Sequence, residues 1–284
     1  MRCLDAHNHL QDDRFAGRQE ALIREARAAG VERMVVNGTC EEDWPAVAAL
    51  AEAHPDLVVP AFGYHPWRAH ERTRGWRETL EGWIAGHPGA GVGEIGLDRW
   101  ILEPAARDRG GRGGKAADGG PAPLAVQEDV FAWQLRLAAE RNLPVTIHCL
   151  QAWGRLVELL RANPRPEAGF LLHSYGGSAE LVDGLVRLGA YFGFPGYFAH
   201  ARKAAQREVF RRVPLDRLLV ETDAPDQMPP EGLATHRLVD ADGRTALNHP
   251  ANCGAIQAYL GNFLGMEPDD FGQRLAANFA RLFG

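Results

Sequence analysis

The chain has 284 residues, 45% hydrophobic and 24% charged, with a formal net charge of −6. This is ordinary globular composition, long enough for one large α/β domain or two small ones. It excludes a membrane span, since no apolar run approaches ~20 residues, and it disfavours broad binding to nucleic acid by phosphate neutralisation alone.

Strand-like apolar runs recur along the chain, at residues 3–9, 33–37, 58–63, 91–95, 144–148, 169–173, 190–194 and 218–223. The first runs into Asp5-Ala6-His7-Asn8-His9. Strand side chains alternate between faces, so His7 and His9 are expected to point the same way with Asp5 behind them. Segments with helical patterning lie between the strands, at 19–26, 46–53, 130–140, 156–161 and 179–188, the last with Ser178 as an N-cap candidate. Two more helices are expected in the tail, at 251–264 and 269–282. Eight strands alternating with helices predict a single (β/α)8 TIM barrel over 1–284, closed by C-terminal helices, with its active site at the C-terminal strand ends. An open doubly wound sheet is the competing arrangement. It would usually carry a Gly-rich phosphate turn after the first strand, where this chain has Asn8-His9-Leu10.

Five strand ends deliver His, Glu or Asp: His7 and His9, Glu94 and Asp98, His148, His173, and Glu221 and Asp223. Such groups after apolar runs are expensive to bury unless paired or metal-bound. His/carboxylate clusters suit Zn, Mn, Fe, Co or Ni better than Ca, with Mg possible. The histidines at 54, 70, 87, 200, 236 and 249 fall in helical or loop contexts and are expected to be solvated. Cys3, Cys40, Cys149 and Cys253 form no Cys-x-x-Cys pair. They suggest neither a disulfide framework nor a zinc ribbon. With no basic-then-apolar leader at the N-terminus, a cytoplasmic location and no membrane contact are expected.

Several pieces together resemble the TatD family of metal-dependent hydrolases, within the amidohydrolase superfamily. They are Asp5-Ala6-His7-Asn8-His9-Leu10, Gly63-Tyr64-His65-Pro66, Gly93-Glu94-Ile95-Gly96-Leu97-Asp98 and Pro144-Val145-Thr146-Ile147-His148. Leu171-Leu172-His173-Ser174, Glu221-Thr222-Asp223-Ala224-Pro225 and the terminal Asn278-Phe279-Ala280-Arg281-Leu282-Phe283 complete the set. The resemblance implies two divalent ions, one on His7, His9 and Asp223, the other on His148 and His173, with Glu94 bridging. It implies a hydrolase of the deoxyribonuclease type, acting on DNA. Asp223 would be both ligand and general base, His65 would contact a substrate oxygen, and Asp98 and Glu221 would orient the ligands. Related enzymes often bridge their metals with a carboxylated lysine, but Lys115 and Lys203 are the only lysines and neither lies at a strand end.

The chain departs from the pattern in four places, the mildest after strand six, where His173-Ser174-Tyr175-Gly176-Gly177-Ser178 stands for the common His-Cys-Phe-x-Gly-Ser. After strand five it reads His148-Cys149-Leu150-Gln151-Ala152, where family nucleases usually carry an arginine at the position of Leu150. Leucine cannot make a bidentate phosphate contact. After strand seven, Phe194-Pro195-Gly196-Tyr197-Phe198 replaces the usual Gly-rich turn. Residues 103–123 read as a flexible insertion, with Arg107, Arg109, Arg112 and Lys115 among glycines. A sharper expectation makes that insertion a basic lid over a polyanion, while the turn-rich stretch 226–248 would form part of the substrate wall. The departures keep open a second reading, a two-metal hydrolase of a small ester, amide or lactone, and a third, a non-catalytic metal-binding protein.

Overall fold

The computed structural model describes residues 2–103 and 120–284. Residues 104–119, which carry most of the expected insertion and all four of its basic residues, lie outside that description. Eight parallel strands form one sheet in chain order: β1 Cys3–Asn8, β2 Val31–Asn37, β3 Val58–Phe62, β4 Gly91–Asp98, β5 Val145–Leu150, β6 Phe170–Leu172, β7 Ala190–Pro195 and β8 Leu218–Glu221. The helices that alternate with them are α1 Gln19–Ala28, α2 Trp44–Ala53, α3 Trp76–Gly86, α4 Leu124–Arg141, α5 Trp153–Ala162, α6 Ala179–Arg187 and α7 Ala204–Val209. Two more, α8 Cys253–Leu264 and α9 Pro268–Phe283, end the chain. A short antiparallel pair, β9 Leu238–Val239 and β10 Ala246–Leu247, sits in the loop after β8. This is the expected TIM barrel, not the open sheet.

Most strands are buried along their whole length, as a sheet covered on both faces requires. The helices pay their apolar stripe into the outer layer: α5 buries Leu156, Val157, Leu159 and Leu160, and α6 buries Val182 and Leu185. Ser178 does occupy the N-cap of α6, but its side chain makes no capping bond to the helix.

Inside the barrel, Ala6, Val35, Val59, Ala61, Leu171, Tyr191 and Leu219 form a separate apolar cluster. Phe279, Leu282 and Phe283 of α9 complete it. The last helix therefore plugs the barrel, anchored by the Asn278 amide, which donates to the carbonyls of Leu215 and Leu218 at 2.8 and 2.7 Å. Of the two tail helices only α9 enters the interior; α8 adds Ile256 and Leu260 to the outer core.

The sheet closes where the end of β1 meets the chain just past β8. Asp223 N–H donates to His7 C=O at 2.9 Å, and His9 N–H donates to Ala224 C=O at 2.8 Å. Below them the buried Asp5 carboxylate accepts from the Thr222 N–H and hydroxyl. These bonds bring three of the expected ligands together.

Candidate metal centre

Glu94 ends up at the centre of the site, 2% exposed. Its Oε2 lies 3.4 Å from His7 Nε2 and 3.2 Å from His9 Nε2. Its Oε1 lies 3.1 Å from both His148 Nδ1 and His173 Nε2, and 3.4 Å from His65 Nε2. Asp223 Oδ1 adds itself to the first group, 3.4 Å from His7 Nε2 and 3.7 Å from His9 Nε2. Ligand atoms of His7, His9 and Asp223, of His7, Glu94 and His173, and of His65, Glu94 and His148 each lie within 4.8 Å of one another.

The spacing suits ions. His7 and His9 bring their Nε2 atoms to 3.3 Å, and His148 Nδ1 stands 3.3 Å from His173 Nε2. Two nitrogens held about 2.0–2.1 Å from one tetrahedral ion are separated by about 3.3–3.4 Å. Glu94 Oε1 is buried and accepts no well-formed hydrogen bond among the described residues. A carboxylate oxygen so placed among imidazole nitrogens fits a cation better than a bare cluster.

For His9, His148 and His173 the far side of the ring says which nitrogen faces the centre. His9 Nδ1 donates to Asn37 C=O at 2.8 Å, which leaves Nε2 for the centre. His148 Nε2 donates to Asp98 Oδ2 at 2.9 Å, which leaves Nδ1. Trp67 Nε1–H also donates to Asp98 Oδ2, at 2.6 Å, and fixes the carboxylate. His173 Nδ1 lies 3.4 Å from Glu221 Oε1, which also accepts from Ser174 N–H and Oγ–H. His65 differs: its Nδ1 accepts from Trp67 N–H at 3.1 Å, so the neutral ring carries its proton on Nε2, facing Glu94. Protonated there, that nitrogen is set to donate.

Electrostatics agree. Burial alone raises the Glu94 carboxyl, yet His65, His173 and His7 around it hold it well below the usual range. Burial also raises Asp223, but the bond to His7 and the nearby histidines bring it down to about 2. Burial lowers His9 and His148, and their carboxylate neighbours, Glu94 for His9, Asp98 then Glu94 for His148, more than reverse it, carrying each to about 9. His65 stays lowered by its burial, in keeping with a neutral ring.

Local backbone serves the same geometry. Asp223 and Ser174 take left-handed φ values of 53° and 45°, a conformation that costs non-glycine residues on the order of 1–3 kcal/mol and collects at functional sites. A Cβ at Gly193 would stand 2.0 Å from Glu221 Oε2, so glycine there makes room for the carboxylate that steadies His173. The β1–β2 ladder shifts between Asp5 and Asn8. Ala6 faces the barrel interior while the adjacent His7 reaches Glu94, which strict alternation forbids and a slipped register permits.

The structure thus brings His7, His9, His65, Glu94, His148, His173 and Asp223 to one place, with Asp98 and Glu221 behind them. One expectation is overturned. His249 is buried, not solvated: its Nδ1 accepts from Ala251 N–H and its Nε2 meets Glu25 Oε2 at 3.0 Å. The other five histidines expected in solvent are half-buried. Reading the sequence also missed Asn37, Trp67 and Gln227, whose amide donates to Asp223 Oδ2 at 2.8 Å and to Ser174 Oγ. Nothing in their residue types marks them.

A cavity of about 1240 Å³ opens over the centre. Trp67, Trp100, Leu150, Trp153 and Tyr197 contribute to its walls, and of the 226–248 stretch Asp226, Gln227 and Met228 reach it.

Comparison with known proteins agrees with this geometry. The family model described as "TatD related DNase" matches residues 4–284. The chain is 32% identical over 229 residues to the 3'-5' ssDNA/RNA exonuclease TatD of Edwardsiella piscicida, covering 80% of each chain. It is 30% identical over 284 residues to YjjV of Escherichia coli, named an uncharacterized metal-dependent hydrolase, covering 99% of this chain and 98% of that one. The crystal structure of YjjV superposes with a TM-score of 0.83 at 27% identity, over 99% and 98% of the two chains. With a family match along almost its whole length and a barrel mouth built of histidines and carboxylates, the chain belongs to the TatD-related DNase family of metal-dependent hydrolases.

Proposed function

We propose that residues 1–284 form one catalytic barrel that hydrolyses phosphodiester bonds in DNA. In this reading His7, His9 and Asp223 would hold one divalent ion and His148 and His173 another, with Glu94 shared between the two sites. The observation that carries it is the Glu94 carboxylate, which turns one oxygen to each histidine pair. When bound, two such ions lower the pKa of a water and neutralise charge on the substrate oxygens.

The side chains divide the remaining work. Asp223 orients the attacking water and accepts its proton, while the Gln227 amide fixes its Oδ2. His65, with its proton on Nε2, donates to a substrate oxygen. The water oxygen bonds to phosphorus as its proton passes to Asp223, the P–O ester bond breaks, and the leaving oxygen takes up a proton and departs as an alcohol, so that a phosphomonoester remains. The nuclease name of the Edwardsiella relative supports this substrate class. The four cysteines, all free and buried, suit a reducing cytoplasm, and no described helix is long and apolar enough to cross a membrane.

A second reading keeps the same centre for a small ester, amide or lactone. It draws on Leu150, 39% exposed at the cavity wall, which puts an apolar surface at the end of β5. A screen with Mn, Mg, Zn or Co on single-stranded DNA and on generic esters separates the two. The nuclease reading expects DNA cleavage that Asp223→Asn abolishes. Turnover of esters alone would sink it.

A further inference from the structure

Among the described residues three Lys or Arg side chains line the cavity: Arg14, Arg68 and Lys203. Arg14 is held by Asp12 at 2.6 Å and Asp226 at 2.7 Å. Arg68 is held by Glu42 and Glu71, both at 2.7 Å. Their charge is already answered. Lys203 has no carboxylate within ion-pair distance among the described residues. Its ammonium instead sits 5.1 Å from the centre of the Tyr197 ring. Arg202 backs the same ring, also at 5.1 Å, and its Nη2 donates to the Tyr197 hydroxyl at 3.1 Å. A ring face steadies a cation without neutralising it. The end of β5, by contrast, offers the cavity Cys149, Leu150 and Gln151, none of them charged.

We infer that Lys203, held on Tyr197, binds a phosphate of the substrate strand other than the one being cleaved. The inference rests on the phosphodiesterase reading and adds to it a preference for strands over isolated diesters. A compact ammonium on a flexible stem suits a phosphate oxygen as a point charge, and basic grooves that track the backbone are how single strands are held. Lys203 is no part of the group around Glu94, so its loss leaves the reacting centre intact.

The test is binding of a short fluorescein-labelled oligothymidylate with phosphorothioate linkages to the metal-loaded protein, by anisotropy across a salt series. Each phosphate contact on a single strand contributes about 0.7 to the slope of log affinity against log salt. Lys203→Ala should flatten that slope by about 0.7 and weaken binding about fivefold at ~0.1 M salt. Lys203→Arg should restore both. Arg211→Ala, which removes a cation that packs on Phe263 and does not line the cavity, should change neither. An unchanged slope in Lys203→Ala, an equal loss in Arg211→Ala, or no binding by the wild type would overturn the inference. Hydrolysis of a small chromogenic phosphodiester is measured alongside and should be the same in wild type and Lys203→Ala. If the wild type binds the strand through Lys203 yet cleaves no diester with any metal, the phosphodiesterase reading fails and the phosphate contact stands. If it cleaves diesters with a slope indifferent to Lys203, the contact alone fails.

Discussion

The two ends of this barrel are built from the same eight strands and do opposite things. At the closed end Ala6, Val35, Val59, Leu171 and Leu219 meet Phe279, Leu282 and Phe283 of α9 in a largely apolar plug. At the open end His7, His173 and Asp223, a few residues further along three of those strands, join Glu94 of β4 and His148 of β5, and polar atoms crowd to within 3.1–3.4 Å of Glu94 or of one another. The first arrangement gains stability by removing apolar surface from water. The second spends stability, since buried charges recover their desolvation cost only when well paired or bound to a metal. A division into a stabilising end and a reacting end follows, and substitutions should separate the two.

The largest effect is expected at the open end. Glu94→Gln should lower hydrolysis roughly 10³-fold or more, since both histidine pairs lose their shared anion, with little loss of folded protein by urea titration. A parallel fall in stability would break the division. Phe279→Ala should do the converse. Truncating a buried phenylalanine costs about 3–5 kcal/mol, while kcat measured well below the unfolding temperature should hold. Between the two lies Asp98→Asn, which weakens the hold on His148 Nε2. Loss of such a partner typically costs about 10–100-fold in metal affinity, readable by competition with a chromogenic chelator.

The smallest effect sharpens the comparison through pH. In the metal-free protein His9 and His148 are carried up to about 9. A raised histidine stabilises the fold fully below its unfolded value of about 6.5 and loses that contribution as pH rises through about 9. Metal ligation needs the same rings neutral, so it strengthens over that window. The rise in Tm on adding a divalent ion should therefore be greater near pH 9 than near pH 6.5. An equal shift at both would show that these rings do not bind the ion.

How much of this could be read from residues alone differs between the ends as well. The histidines and carboxylates that meet at the barrel mouth were legible because the apolar runs leading to them stop on residues that cannot be buried unpaired, as Ile147 gives way to His148 and Leu172 to His173. The eight strands were legible for the same reason, and the tail as helices. What escaped depends on chain segments meeting across long separations. The carbonyl of Asn37 holds His9, the indole of Trp67 holds Asp98, and Gln227 reaches back to Ser174. His249 finds Glu25 across 224 positions, so its burial left no local trace. The register shift in β1 was likewise invisible, because only pairing with β2 defines it. That Phe279 enters the barrel while Ile256 stays outside follows from how α8 and α9 pack, not from their patterning.

Anomalous diffraction from crystals grown with Mn²⁺ tests the central claim most directly. The account predicts two peaks flanking the Glu94 carboxylate, one beside His7, His9 and Asp223, the other beside His148 and His173. Peaks away from Glu94, or a single peak that survives Glu94→Ala unchanged, would contradict it.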